Sequence, residues 1–210
     1  IAPAVLDRPV RRATAAPVAG AVTGGTAVDP NWQSAFFDVY KPPPGCENPG
    51  LYTCDLTDRG ARKVLLVGDS HSQQLAPTLT AISEDHGIRL RAAFLSYCPW
   101  TRDVRYVGVG GDCFAQEDEV FGKIVPAFDP DVVILVHRAA DDANDYLDLI
   151  DRDDGEVSER DRPKVQEVFD RRIGSLVQSL RAHDRDVVML EPVPVAPKSF
   201  DPVGCLAKAE

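Results

Sequence analysis

The 210-residue sequence lacks the features of a membrane span, a nucleic-acid-binding surface and a zinc site. Its longest aliphatic run is Val132–Val136, far short of the roughly 18 apolar residues of a spanning helix. It also has no excess of positive charge. The net charge of −10 argues against nucleic acid as a partner, because binding requires a positive surface that displaces counterions. No C-x-x-C pair occurs, so a zinc site is not expected. We predict no metal and no cofactor.

The five cysteines fall into two spaced pairs and a single residue. Cys46 and Cys54 flank a turn with Pro and Gly, and Cys98 and Cys113 flank a glycine-containing loop. Both spacings fit disulfides that close surface loops, which would indicate an oxidising compartment. Buried free thiols are the alternative. Cys205 is left over, and we expect its partner to lie beyond the end of the sequence.

The acidic residues concentrate between 141 and 161, where ten carboxylates face two arginines. Gly155 could be the sixth position of a calcium loop. The first and third positions would then be Ile150 and Arg152, which cannot ligate calcium. We therefore expect a solvated acidic loop.

From Lys63 onward, strand-like and helix-like segments alternate. We predict strands at 63–67, 88–95, 131–136 and 186–190, and helices at 72–86, 112–127 and 163–183. Strands separated by helices imply parallel pairing through crossovers. The predicted fold class is α/β, with a doubly wound parallel sheet in a three-layer α/β/α sandwich.

The predicted domain organisation has two parts. Residues 1–62 read as a linker and an irregular lead-in, an N-terminal extension rich in Ala, Pro and Gly. Residues 63–210 form the α/β domain. The helix expected after the fourth strand, and any fifth strand, are not in the sequence, so we expect this domain to lack its C-terminal part.

The motif that bears on chemistry is Gly68-Asp69-Ser70-His71, between the first predicted strand and the first predicted helix. A serine at such a turn stands clear of the sheet, close to amides and a helix dipole that can stabilise an oxyanion. Asp69 can hold the tight turn by accepting from nearby amides, and Gly68 keeps the approach free of a side chain. The alternative is that Ser70 merely caps the helix.

The segment VLLVGDSHSQQLAPTL at 64–79 resembles the first block of SGNH (GDSL-type) hydrolases. More narrowly, it is similar to extracytoplasmic SGNH domains fused behind membrane acyltransferase-3 (AT3) proteins, which O-acylate cell-envelope glycans and glycolipids. The resemblance covers about residues 46–208. Its further matches are the segment from Cys46 to Cys54, SYCPW at 96–100, VVILVHR at 132–138 and EPVPVAPKSFDPVGCLAK at 191–208.

The resemblance implies an SGNH/flavodoxin-like fold and assigns roles to residues of the motif. Ser70 would be the nucleophile, and its own N–H would join the oxyanion hole. Gly68, Asp69 and His71 would line the active site. Arg138 stands where the wider family has an asparagine oxyanion donor; the alternative is a surface salt bridge with aspartates nearby.

The catalytic base is where the sequence departs from the family pattern, which pairs the serine with a late D-x-x-H motif. No histidine here has Asp three residues before it. His86 and His183 end predicted helices, at the opposite edge of the sheet from the serine. His71 and His137 fall at the serine's edge, and His137 is a possible substitute base; its alternative role is packing at a strand end. We expect the domain to continue past this sequence, the alternative being a degenerate enzyme.

The function that the resemblance implies is O-acyl transfer, with acetyl as the expected group, through an acyl-enzyme on Ser70. The acceptor would be a cell-envelope glycan or glycolipid. The expected donor partner is a membrane acyltransferase domain of the same polypeptide, which would tether this extracytoplasmic domain to the membrane. The alternatives are a carbohydrate esterase and a non-catalytic glycan-binding or regulatory module on the same scaffold.

Overall fold

The structure is a computed structural model of the chain. It describes residue 46 and residues 51–95, 97–108, 111–137 and 148–190. In chain order the elements are β1 Leu51–Asp55, β2 Arg62–Gly68, α1 Ser70–His86, β3 Ile88–Leu95, β4 Val104–Tyr106, α2 Cys113–Glu119, a π-helical turn Val120–Ile124, α3 Val125–Phe128, β5 Val132–Val136, β6 Leu149–Asp151, β7 Gly155–Val157, α4 Arg162–Arg181 and β8 Asp186–Leu190.

The main sheet has the strand order β1-β3-β2-β5-β8. Strands β3, β2, β5 and β8 run parallel, as the alternation of strands and helices predicts. Strand β1 adds an antiparallel edge to β3, with Leu51 opposite Leu95 and Asp55 opposite Arg91. An irregular lead-in was predicted here, and that is wrong for these five residues, because a short edge strand between turn residues has little periodicity of its own.

Helices cover both faces of this sheet, which confirms the three-layer α/β/α sandwich. In β2, Val64 and Leu66 pack on one face in the cluster that includes Ala76 of α1. Leu65 and Val67 belong to the cluster on the other face, with residues of α2, α3, α4 and the π-helical turn. A continuous apolar run is what a strand buried on both faces requires. Full burial of each such side chain contributes about 2 kcal/mol.

Helix α1 carries the serine of the motif at its first position. Asp69 caps its start, and Gly87 ends it in the left-handed conformation, with φ +59°. The predicted helix began at residue 72, two residues late. A short polar residue at the N-cap and Gly after the last turn are the usual signals of helix ends.

A second, three-stranded antiparallel sheet has the order β4-β6-β7. Its apolar residues pack on α4 in a cluster with Val165, Val168 and Phe169. The solvated acidic loop predicted over 141–161 is therefore wrong for the described residues from 148 onward. They form the β6–β7 hairpin, and the carboxylate of Asp151 at its turn is buried.

Ion pairs with α4 compensate the charge of that hairpin. Arg172 Nη2 lies 2.6 Å from Asp151 Oδ1 and 2.8 Å from Asp153 Oδ2. Burial alone would raise the pKa of Asp151. Hydrogen bonds from Arg172 and from the amides of Asp154 and Asp153 outweigh burial and hold this pKa well below its usual value. The partner that allows this carboxylate to be buried comes from another element, so the acidic run by itself does not reveal it.

Two disulfides close surface segments, as the cysteine spacing predicts. Cys46 pairs with Cys54, and Cys98 pairs with Cys113. The first bond attaches the segment before β1 to β1 itself. The second attaches the chain after β3 to the first residue of α2. Cys205 lies outside the described residues.

Candidate active site

Ser70 lies at the carboxyl edge of the parallel sheet, where ligand sites form in α/β folds. Strand β2 ends at Gly68, and α1 begins at Ser70 after a single intervening residue. Asp69 is buried, with 5% of its surface exposed, whereas Ser70 is exposed. The turn thus holds its acid inside and presents its serine to solvent.

Position 68 requires a glycine because the backbone of β5 passes too close to it for any side chain. A Cβ at this position would lie 1.6 Å from the carbonyl oxygen of Val136 and 3.0 Å from the Cβ of Ser72. Since Val136 is the residue paired with Gly68 across β2 and β5, the crowding comes from the neighbouring strand. The sequence predicts that Gly68 keeps the approach to the serine free of a side chain. In the structure the missing side chain makes room for the backbone of β5.

Asp69 engages most amides of the first turn of α1. Its Oδ1 accepts from the N–H of His71 at 2.9 Å. Its carbonyl oxygen accepts from the N–H groups of Ser72 at 3.0 Å and Gln73 at 3.2 Å, and from the Ser72 hydroxyl at 2.6 Å. The N–H of Ser70 is not part of this capping arrangement. It is therefore the amide of this turn best suited to the oxyanion that would form on an acyl carbonyl attacked by Ser70 Oγ.

The side chain of His71 bends back toward the capping acid. Its Nδ1 lies 3.4 Å from Asp69 Oδ1, beyond the usual range of a well-formed hydrogen bond but close enough for a charge interaction once the ring is protonated. The side chain is 29% exposed. A role for His71 in lining the site stays a prediction.

His137 follows β5 directly, and β5 is the strand next to β2. Gly68 pairs with Val136, so His137 is one residue beyond that pair and Ser70 is two residues beyond it. The imidazole stacks on Trp100 with 5.0 Å between ring centroids and meets the ring of Phe169 edge-on at 6.3 Å. This places His137 at the predicted edge of the sheet, with its ring held among aromatic side chains.

Other sequence predictions fall outside the described residues. These are Arg138, the Ser96 of the SYCPW match, and the segment 191–208. Of the predicted site residues, the structure brings residues 68–71 and His137 to one edge of the sheet. Their chemical roles stay predictions.

The sequence places Tyr97 after β3 at the same edge but assigns it no role of its own. The residue is 72% exposed, and its backbone has φ +59°, a conformation that bulky residues rarely adopt. The SYCPW match includes this residue as part of a family likeness. Nothing in the sequence signals that a tyrosine would take a glycine-like conformation.

A surface cleft of about 600 Å³ lies at the other edge of the sheet, away from the serine. It is lined by residues 55–59 and by Ser83, Glu84 and Gly87, at the C-terminal end of α1. Since Ser83 lies roughly 20 Å along α1 from Ser70, the cleft does not belong to the candidate active site.

The fold and the site together define a class of protein: a three-layer α/β sandwich with an exposed serine at the turn between a parallel strand and its following helix. The family model described as "SGNH domain (fused to AT3 domains)" matches residues 40–210. The chain belongs to this family, whose members are typically serine hydrolases, esterases or acyltransferases. The search of curated proteins and the search of solved structures found no match.

The family description also bears on the surroundings of the domain. Fusion to AT3 domains supports a membrane acyltransferase domain on the same polypeptide and hence a tether to the membrane. Within the part of the chain that the structure describes, no helix is both long and apolar enough to cross a bilayer.

Proposed function

We propose that this domain transfers an acyl group, with acetyl as the expected group, from a membrane acyltransferase domain to a hydroxyl of a cell-envelope glycan or glycolipid. The observation that carries this proposal is the exposed Ser70 at the start of α1, one residue after β2. Membership in the AT3-fused SGNH family supports acyl chemistry at this serine.

In the first half of the reaction, Ser70 Oγ attacks the acyl carbonyl carbon and its proton passes to a base. The tetrahedral oxyanion is stabilised by the N–H of Ser70 and the positive end of the α1 dipole. Collapse of this intermediate expels the donor oxygen, which takes up a proton, and leaves an ester on Ser70. In the second half, an acceptor hydroxyl attacks that ester and loses its proton, and Ser70 Oγ regains one.

His137 is the base that we propose among the described residues. Its position one residue past the Gly68–Val136 pair supports this role. The stacking on Trp100 and the edge contact with Phe169 fix the plane of its ring, as a base requires. The same contacts favour the alternative, in which His137 packs at a strand end and another group takes the proton.

The extracytoplasmic location is supported by the two disulfides. Structural disulfides form and persist in oxidising compartments and are rare in the cytosol. Glycan acceptors of the cell envelope are found on that same side of the membrane. Arg138 remains the proposed oxyanion or carbonyl contact at the end of β5, on the resemblance alone.

The direct test is covalent labelling with a fluorophosphonate, followed by mass mapping of the labelled peptide. We expect the label on Ser70 and its loss in Ser70→Ala. Ser175→Ala is the matched control, because Ser175 is an exposed serine within α4 and its removal should leave labelling intact. Labelling that persists in Ser70→Ala would contradict the proposal.

Labelling also separates the proposal from the non-catalytic alternative. If Ser70 does not react in the protein with its AT3 domain present, a glycan-binding or regulatory module becomes the better account. If Ser70 reacts, supply of an acetyl donor with water or a sugar as acceptor then distinguishes esterase from transferase. A slower rate of labelling in His137→Gln, in a variant that remains folded, would support His137 as the base.

A further inference from the structure

We propose that the ring of Tyr97 is a stacking platform for a pyranose ring of the acceptor. The inference rests on the proposed acyl transfer to a sugar and names the residue that would hold that sugar. It is carried by three observations on the described residues: where Tyr97 lies, how its backbone is constrained, and how much of its ring faces solvent.

Tyr97 and Ser70 leave the sheet side by side. Strands β2 and β3 are parallel neighbours, and Gly68 pairs with Phe94. Ser70 follows this pair by two residues, at the start of α1, and Tyr97 follows it by three, after the end of β3. The two strands that they follow lie about 5 Å apart. A substrate held against the ring of Tyr97 is therefore at the edge of the sheet where Ser70 is exposed.

The backbone of Tyr97 has a positive φ, which is unusual for a tyrosine. Among the described non-glycine residues, φ is positive at Tyr97, Asp103, Asp129 and Asp184. Aspartate tolerates this conformation through local hydrogen bonds, whereas tyrosine pays about 1 to 3 kcal/mol for it. Such strain persists where the surrounding structure over-determines it, and it concentrates at functional sites.

The surroundings of Tyr97 show what holds it there. The next residue, Cys98, is fully buried, donates its N–H to the carbonyl of Leu95 at 3.3 Å and forms the disulfide to Cys113. Trp100, two residues later, is also buried. The chain on the C-terminal side of Tyr97 is thus anchored in the core, and the tyrosine ring is presented to solvent on a fixed backbone.

The chemistry of an isolated exposed tyrosine fits a sugar ring. At 72% exposure, Tyr97 is the most exposed large apolar side chain among the described residues, where the others range from 38% to 51%. A single ring is much smaller than the apolar patches of several hundred Å² that mark protein-binding surfaces. Its flat face matches the C–H face of a pyranose, its hydroxyl can hydrogen-bond to sugar hydroxyls, and its few rotatable bonds keep the entropy cost of binding low.

The test measures sugar binding without turnover, in a Ser70→Ala background. The probes are methyl β-glucopyranoside and methyl N-acetyl-β-glucosaminide, with mannitol as an acyclic polyol that has no ring face. Tyrosine rings are isotope-labelled for NMR, and the signal of Tyr97 is assigned by its loss in Tyr97→Phe. We expect the pyranosides to shift this signal with saturation and mannitol to leave it unchanged.

Affinities from ligand-observed NMR then isolate the ring. We expect Tyr97→Ala to weaken pyranoside binding about tenfold, which corresponds to about 1.4 kcal/mol, and Tyr97→Phe to retain most of it. Alanine at this position keeps the same backbone strain, so the comparison reports on the ring. Ile82→Ala is the matched control: Ile82 is exposed on α1, roughly 18 Å along the helix from residue 70.

The proposal is overturned if neither pyranoside shifts the Tyr97 signal, or if Tyr97→Ala binds the pyranosides as tightly as the parent. Because the assay uses a variant without the nucleophile, either result leaves the labelling test of Ser70 untouched. Conversely, a failure of Ser70 to react with fluorophosphonate would leave the sugar-binding result standing, as a property of a binding module.

Discussion

Replacing Glu117 by Gln should stabilise the protein increasingly as the pH rises. Glu117 lies in α2 and is fully buried. Its Oε2 accepts from the N–H of Asp103 at 2.6 Å, and its Oε1 has no hydrogen-bond partner among the described residues. Burial raises the pKa of Glu117 from its ordinary value of 4.5 to about 9, and the nearby carboxylates of Asp103 and Asp118 act in the same direction.

The size of the effect follows from the proton that the folded state retains. Between pH 4.5 and about 9, Glu117 is protonated when folded and ionised when unfolded. In this window the free energy of unfolding therefore falls by about 1.4 kcal/mol per pH unit, an upper estimate for a single group. From pH 5 to pH 8 the cumulative loss is up to about 4 kcal/mol. Glutamine does not ionise, and its amide oxygen can still accept from the Asp103 N–H.

Urea unfolding of the oxidised protein, followed by circular dichroism at pH 5, 6, 7 and 8, measures this difference. The advantage of Glu117→Gln over the parent should be small at pH 5 and grow steadily to pH 8. Glu119→Gln is the control on the same helix, since Glu119 is partly exposed and paired with Lys123. Its difference from the parent should stay nearly flat. Parallel stability curves for Glu117→Gln and the parent would refute a protonated, buried Glu117.

Two further predictions concern stability at the site and at the second sheet. Gly68→Ala should lower the free energy of unfolding by several kcal/mol and abolish fluorophosphonate labelling, because its Cβ would overlap the carbonyl of Val136. Calorimetry measures the loss of stability, and labelling measures the loss of reactivity. A variant that folds and reacts like the parent would contradict this prediction. Arg172→Ala should lower the free energy of unfolding by about 3 kcal/mol, because the buried carboxylate of Asp151 loses its main ion pair. Chemical unfolding measures this change. A decrease below about 0.5 kcal/mol would show that the ion pair with Arg171 is sufficient to hold the buried carboxylate.

The sequence was informative where a single element determines its own structure. The apolar run of β5 and the Gly-Asp-Ser turn predicted a parallel sheet with a serine at its carboxyl edge, because the period and the turn chemistry act locally. The second sheet was not predicted, since its strands of three residues are too short to show a period and its charge compensation comes from Arg172 on α4. The left-handed conformation of Tyr97 was not predicted, because a tyrosine gives no local signal for a positive φ.

Within the site, the sequence predicted which residues lie at the same edge of the sheet but not which backbone amides are already hydrogen-bonded. Ser70 and its neighbouring amides were expected to share the oxyanion hole. The structure shows the amides of His71 and Ser72 already bound to Asp69. That assignment depends on side-chain and backbone geometry within one turn of helix, which residue identities alone leave open.

The two disulfides have a consequence for the order in which the chain folds. They join cysteines 8 and 15 residues apart, so each closes a short loop at little entropic cost. The pairing of β5 with β8 instead brings Val132 next to Asp186, which lies 54 positions later in the chain. Both loops can therefore close before β8 has paired with β5. We expect the disulfides to anchor β1 and the turn after β3 before β5 and β8 have paired. A reductant present during refolding should therefore delay the formation of β1 and β3 more than the formation of β5 and β8.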